Sequence, residues 1–163
     1  MLWHGTSAVN LISILNVGLL PAPPHAAHTG SMFGKGIYTA DCFCKSEGYC
    51  RESPGSGYKY ALLCEVVLGR IKYDTQLDEF GGDRLGEKFN SLMGWGTQGP
   101  DPRFNVTLPI GAVMPLGLLK AQPELLDENG TKLYHRLSYN EYVVYDPSQI
   151  VARYLVVFKN SNN

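Results

Sequence analysis

The sequence lacks most of what would tie a protein to a membrane, a secreted framework or a polyanion. No run approaches the roughly 18 consecutive apolar residues that a spanning helix needs. The opening Met1-Leu2-Trp3-His4 has neither a basic leader nor an apolar core ahead of a small-residue cleavage site. A soluble, intracellular protein with no membrane partner is therefore expected. Charge of one sign is missing as well: 14 basic residues face 15 acidic ones, a formal net charge of -1. Without a global positive field, no direct nucleic-acid contact by this domain is expected. Cys42, Cys44, Cys50 and Cys64 match neither the C-x-x-C pairs of a zinc ribbon nor a dense disulfide framework. They read as free, partly buried thiols, and no metal site is expected.

What is present suits one globular domain. The chain has 163 residues, 44% of them hydrophobic and only 18% charged, enough to bury a core. Ser7 followed by Val9, Leu11, Ile12, Ile14 and Leu15, with Gly18 behind, predicts a capped helix over 8–16. His4 and Gly5 stand just before it. Pro21, Pro23 and Pro24 stiffen the next stretch, which runs as a loop to the glycines at 30, 34 and 36. A second helix is predicted over 42–50 with Asp41 as N-cap, and Ser-Pro-Gly-Ser-Gly at 53–57 ends it. Tyr60 to Leu68 is a strong strand signal, and Ile71 to Tyr73 follows Gly69. The glycine-rich stretch from Asp74 to Pro102 shows no sustained periodicity and is expected to hold no regular structure. Asn129-Gly130 marks a hairpin, and strands are predicted around 142–145 and 151–158. The pattern is a strand-dominated α/β domain with two short helices and no internal repeat.

Three ordered segments carry more than fold. They are His4-Gly5-Thr6, Met32-Phe33-Gly34-Lys35-Gly36-Ile37-Tyr38, and Tyr139-Asn140-Glu141-Tyr142-Val143-Val144-Tyr145-Asp146. Together they resemble the His-Tyr-Glu signature of the poly(ADP-ribose) polymerase family, closest to its DNA-activated members. Gly18-Leu19, Ala22-Pro23-Pro24, Lys45-Ser46, Tyr49-Cys50 and Pro100-Asp101-Pro102 extend the likeness over nearly the whole chain. The resemblance implies an α+β catalytic domain over 1–163, with a few short helices, whose split antiparallel sheets surround an NAD cleft. It also implies that the strand region preceding the His-Gly motif is missing, since Met1 lies three residues before His4.

The implied activity is transfer of ADP-ribose from NAD to protein acceptors, the chain itself among them, with release of nicotinamide and elongation to poly(ADP-ribose). Breaking the bond between ribose C1 and the nicotinamide nitrogen develops positive charge at C1, much as glycoside hydrolysis does. A carboxylate fixed near that ribose stabilises it, an effect often worth about 3–4 kcal/mol. Glu141, at the start of a strand, is the candidate for this role, with His4 and Tyr38 completing the catalytic set. By resemblance, His4 bonds the adenosine-side ribose, the Gly5 backbone binds the carboxamide, Tyr38 and Tyr49 sandwich the nicotinamide ring, and Ser46 donates to the carboxamide. Thr6 and Asn10 line the adenosine side, Lys45 lies close to Glu141, and Leu19 to Phe33 corresponds to the donor-site loop. No metal is required. A nuclear location and a place in the DNA damage response come from the resemblance alone.

Some positions depart from the family pattern. Leu20 stands where an arginine would contact adenine, Ser31 where a tyrosine is usual, and Thr39 where an aromatic follows the motif tyrosine. The acceptor-side segment from Leu118 to Ser138 is longer than in close relatives. Two alternatives stay open: a mono-ADP-ribosyltransferase or NAD glycohydrolase, and a catalytically weak NAD-binding interaction module.

Overall fold

The computed structural model describes residues 1–21, 31–76, 82–83 and 85–159. In chain order these form β1 (Leu2–Gly5), α1 (Leu11–Val17), β2 (Ile37–Thr39), α2 (Phe43–Glu47), β3 (Lys59–Val66), β4 (Ile71–Asp74), β5 (Ser91–Gly94) and β6 (Gly96–Pro100). There follow β7 (Val106–Thr107), β8 (Val113–Met114), β9 (Leu119–Ala121), β10 (Leu137–Tyr139), β11 (Glu141–Val144) and β12 (Ile150–Phe158). The class is α+β.

The strands divide among separate sheets. One has the order β1-β3-β12, a second β2-β11-β5-β4 and a third β10-β6-β9, while β7 and β8 form a hairpin. Pairing is antiparallel except between β4 and β5 and between β10 and β6. One apolar cluster joins the first two sheets: Leu62, Cys64 and Ile150 meet Ile37 and Val144, with Leu11 of α1 and Leu19 closing it. A second cluster, Phe33, Leu85, Leu92 and Val143, packs elsewhere against the second sheet. Val143 and Val144 serve different clusters because successive strand side chains point to opposite faces. β11 is thus buried on both sides, which makes its first residue, Glu141, the end of a rigid beam.

The expected elements appear with shifted ends. The first helix begins as a 3-10 turn at Ala8–Asn10 and becomes α-helical only at Leu11, with no side-chain cap from Ser7. Gly18 ends it at φ 85°, a conformation that glycine adopts without steric cost. The second helix covers Phe43–Glu47, shorter than 42–50, and its N-cap is Cys42 rather than Asp41. Asp41 is drawn away because its carboxylate accepts from Asn140 and Tyr142. At Asn129-Gly130 the turn spans Asp127 to Gly130, with an isolated antiparallel bridge between Leu126 and Lys132. Much of the proline-braced donor-site loop, residues 22–30, lies outside the described residues.

One expectation fails. The stretch from Asp74 to Pro102 holds β5 and β6, and β5 is the most buried strand of its sheet. Its glycines are not breakers. A Cβ on Gly94 would sit 2.3 Å from the Phe33 ring, and one on Gly96 would sit 2.4 Å from the Tyr139 backbone. These residues are small because ring and strand approach them closely. His4 and Gly5 also lie on a strand, β1, too short for periodicity to reveal.

Phe33 is completely buried against Gly94 and Leu92, and its main chain is bonded by the Tyr38 and Tyr145 hydroxyls. Phe33→Ala is expected to lower the unfolding free energy by about 3–5 kcal/mol in urea titration with an unchanged m-value. A loss below about 1 kcal/mol would contradict this packing.

Candidate active site

The site begins with how closely α2 lies on β1. A Cβ on Gly5 would fall 1.8 Å from the Ser46 carbonyl oxygen and 3.1 Å from Tyr49 Cβ, so no side chain fits. A glycine is needed here for this helix–strand contact. The Ser46 hydroxyl donates to the Trp3 carbonyl at 2.9 Å and fastens the helix to the strand. Trp3 and Ala40 exchange backbone hydrogen bonds of 2.7 and 2.8 Å, tying β1 to the end of β2. β1, β2 and α2 are thereby locked as one wall.

β11 brings Glu141 against that wall. Lys45 Nζ lies 2.7 Å from Glu141 Oε1, the side chains being 18% and 6% exposed. Glu141 Oε2 is buried with no hydrogen-bond partner among the described residues. A buried carboxylate oxygen costs free energy unless something satisfies it. Glu141 lines a cleft of about 900 Å³.

Every residue that the resemblance assigns to the site lines this cleft: His4, Gly5 and Thr6 from β1 and its end, Asn10 beyond them, Tyr38 from β2, Lys45, Ser46 and Tyr49 from α2 and its exit, and Glu141. A second concavity of about 640 Å³, around Asn90 and Gln149, contains none of them. His4 Nδ1 is 2.8 Å from the Tyr38 carbonyl oxygen. A carbonyl only accepts, so Nδ1 carries the proton. Burial lowers the pKa of His4, with the Tyr38 contact opposing that shift. In the neutral ring Nε2 is then the acceptor nitrogen.

Tyr38 contributes its ring more than its hydroxyl. Its O–H donates to the Gly34 carbonyl at 2.7 Å and accepts from the Phe33 N–H at 3.0 Å, closing the glycine-rich turn onto β2. Burial first, and then the nearby Glu141 charge among other causes, pushes its pKa far up, so the proton stays. Tyr49 is 41% exposed, with Lys45 Nζ 6.0 Å from its ring centre. Asn10 Nδ2 donates to Thr6 Oγ1 at 3.2 Å, which orients both. Because the Ser46 proton is engaged by Trp3, donation to a ligand would require that bond to be exchanged.

A polar network behind Glu141 was not anticipated. Asn140 donates to Asp41 Oδ2 at 2.7 Å, accepts from the Gly96 N–H at 3.0 Å and accepts from Gln122 as well. Tyr142 donates to the same Asp41 oxygen at 3.2 Å. This joins the residue before Glu141 to the loop that enters α2, and so holds the supports of Glu141 and Lys45 together. An asparagine next to a candidate catalytic carboxylate was the available signal, but its partner at position 41 is distant in sequence and invisible to spacing.

The Poly(ADP-ribose) polymerase catalytic domain family matches residues 1–160. The chain belongs to this family. It is 40% identical over 159 residues to Poly [ADP-ribose] polymerase 2 of Arabidopsis thaliana, covering 98% of this chain and 24% of that protein. It is 41% identical over 159 residues to Poly [ADP-ribose] polymerase 1 of Caenorhabditis elegans, covering 98% and 16%. To Poly [ADP-ribose] polymerase 2 of Homo sapiens it is 40% identical over 156 residues, covering 96% and 26%. The chain therefore spans about a quarter or less of the length of these curated relatives. The departures from the poly(ADP-ribose) polymerase pattern at Leu20, Ser31 and Thr39 all line the cleft, and Thr39 is also buried and donates to the Tyr142 carbonyl across the β2–β11 pair. Among the described residues no cluster of metal-binding side chains occurs, and no helix is long and apolar enough to cross a membrane.

Burial raises the pKa of Asp41, opposed by the Asn140 and Tyr142 hydrogen bonds. A carboxyl with a raised native pKa favours the native state most below the unfolded value, about 4, and loses that contribution as pH rises through the native value. Asp41→Asn removes this dependence. Urea midpoints measured between about pH 4 and pH 7 are expected to fall more steeply with pH for wild type than for the variant. Parallel curves would contradict a buried, hard-to-ionise Asp41.

Proposed function

We propose that this domain binds NAD in the cleft and transfers its ADP-ribose to protein acceptors, releasing nicotinamide. The observation that carries the reading is Glu141 itself: one oxygen is held by Lys45, the other is buried with no partner among the described residues, and the residue lines the cleft. Such a carboxylate is fixed in direction and leaves one oxygen to accept a ribose hydroxyl and to face positive charge at C1. Preorganised charge of this kind acts without reorganising during the reaction.

The other residues supply binding and orientation. Neutral His4 offers Nε2 to a ribose hydroxyl, the Tyr38 and Tyr49 rings offer faces for a flat heterocycle at about 0.5–1.5 kcal/mol beyond burial, and the Gly5 main chain offers amide contacts. Thr6 and Asn10 present polar groups on the same wall. The cleft has the size and donor–acceptor set for a dinucleotide. When NAD is bound, the nicotinamide departs as a neutral base and an acceptor oxygen, on losing its proton, bonds to C1.

Elongation to poly(ADP-ribose), modification of the chain itself and a nuclear setting belong to the same proposal and rest on membership of the family. The segment from Leu118 to Ser138 is the part of the chain that would face an acceptor, and Gln122 links it to Asn140 beside Glu141.

Incubating the protein with NAD labelled in its adenylate half, with carrier protein and Glu141→Gln in parallel, tests the reading. Wild type is expected to release nicotinamide and to form labelled product of high molecular weight, and folded Glu141→Gln to lose about a hundredfold or more in rate. A single-step mass increase would reduce the proposal to mono-transfer. Folded wild type that binds NAD without releasing nicotinamide would replace it with a binding module.

A further inference from the structure

The first turn of α2 holds two thiols outside the cleft. Cys42, at the N-cap in extended backbone, and Cys44, in the first helical turn, have sulfurs 3.4 Å apart, the Cys44 thiol donating. Cys44 is exposed and Cys42 buried. The other two cysteines are placed differently: Cys50 donates to the Ser46 carbonyl, and Cys64 is in the core of β3. Directly after Cys44 comes Lys45, the cation held against Glu141.

We propose that Cys42 and Cys44 form a peroxide-sensitive dithiol whose oxidation to a disulfide displaces Lys45 from Glu141 and switches the site off. The switch rests on the transferase reading given above; the dithiol does not. Solvent reaches Cys44 first. Its thiolate takes one oxygen from a hydroperoxide, the O–O bond breaks, and the hydroxide released combines with the thiol's proton as water, leaving a sulfenic acid. Cys42 Sγ then attacks Cys44 Sγ, the S–O bond breaks, and the departing hydroxide takes the Cys42 proton as a second water. Two thiols lose two electrons in all, and one peroxide becomes two waters.

Two effects oppose each other in the second step. Burial pushes the Cys42 thiol up to about 12, which makes its thiolate scarce. Contact with the sulfur to be attacked compensates, since well-oriented intramolecular partners act at effective concentrations of about 10⁵ M or more. Forming the bond draws the sulfurs from 3.4 Å to about 2.05 Å. The helix that must absorb this movement is only five residues long and is fastened at Ser46 to Trp3. Lys45 lies between the two constraints. Lys45 directly follows Cys44 in the same short helix, so a shift of the Cys44 backbone moves Lys45 with it.

The test treats the purified chain with a small excess of hydrogen peroxide and then alkylates it. The tryptic peptide Gly36–Lys45, which contains both thiols, is weighed, and nicotinamide release is measured before and after dithiothreitol. The expected result is a loss of about 2 Da in that peptide, nicotinamide release slowed about fivefold or more, and recovery with the reductant. Cys44→Ser is expected to keep the untreated rate under peroxide. Oxygen addition to Cys44 without the crosslink would overturn the dithiol. A crosslink that leaves the rate unchanged, or equal inactivation of Cys44→Ser, would overturn the switch. An untreated chain that releases no nicotinamide would overturn the transferase reading and the switch with it, while the peptide mass still decides the dithiol.

Discussion

The contact between Lys45 and Glu141 is the interaction on which the rest of the site depends. Glu141 is almost wholly buried, and a carboxylate there is costly unless paired. Lys45 pairs with one oxygen only, at 2.7 Å, and remains partly exposed. A fully satisfied pair would be quieter structurally but would leave nothing to face a ligand. Removing either partner of such a pair is generally more costly than replacing both, because the survivor is left buried and uncompensated. The arrangement therefore serves direction more than stability, anchoring Oε1 and so fixing how Glu141 meets the cleft it lines.

That contact exists because two supports are brought together with little slack. On one side α2 is pressed onto β1 until no Cβ fits at Gly5, and the Ser46 hydroxyl closes the joint. On the other, β11 runs between β2 and β5 with Val143 and Val144 packed into different clusters. Asn140 and Asp41 then join the two supports across a long separation in sequence. Interiors packed this densely transmit small displacements, so residues with no access to the cleft can still set its geometry.

Much of this was legible in the sequence, for identifiable reasons. β3 carries a long apolar run and is buried at its centre, as such a run specifies, whereas β12, also expected to be buried, forms where its apolar run predicts but stays largely exposed as the edge of its sheet. The candidate site residues came from the ordered motifs around His4, Tyr38 and Glu141, and they line one cleft. What escaped depends on contacts distant in sequence. β5 and β6 looked like loop because Gly94 and Gly96 were weighed as breakers, when Phe33 and Tyr139 require their smallness. Asp41 looked like a helix cap because Asn140, 99 positions away, could not be paired with it from spacing. Ser46 was expected to donate to a ligand, and its hydroxyl proton is engaged by the Trp3 carbonyl, a contact that spacing could not reveal.

If Lys45 acts through Glu141, removing both should cost little more than removing Glu141 alone. A double-mutant cycle on nicotinamide release, with Lys45→Met, Glu141→Gln and the combination, measures this directly once circular dichroism shows each protein folded. The account predicts strong non-additivity, with the double variant within about threefold of Glu141→Gln, as for residues that work as a unit. Losses that multiply would show Lys45 and Glu141 contributing independently, and would contradict the claim that the lysine's task is to hold the carboxylate.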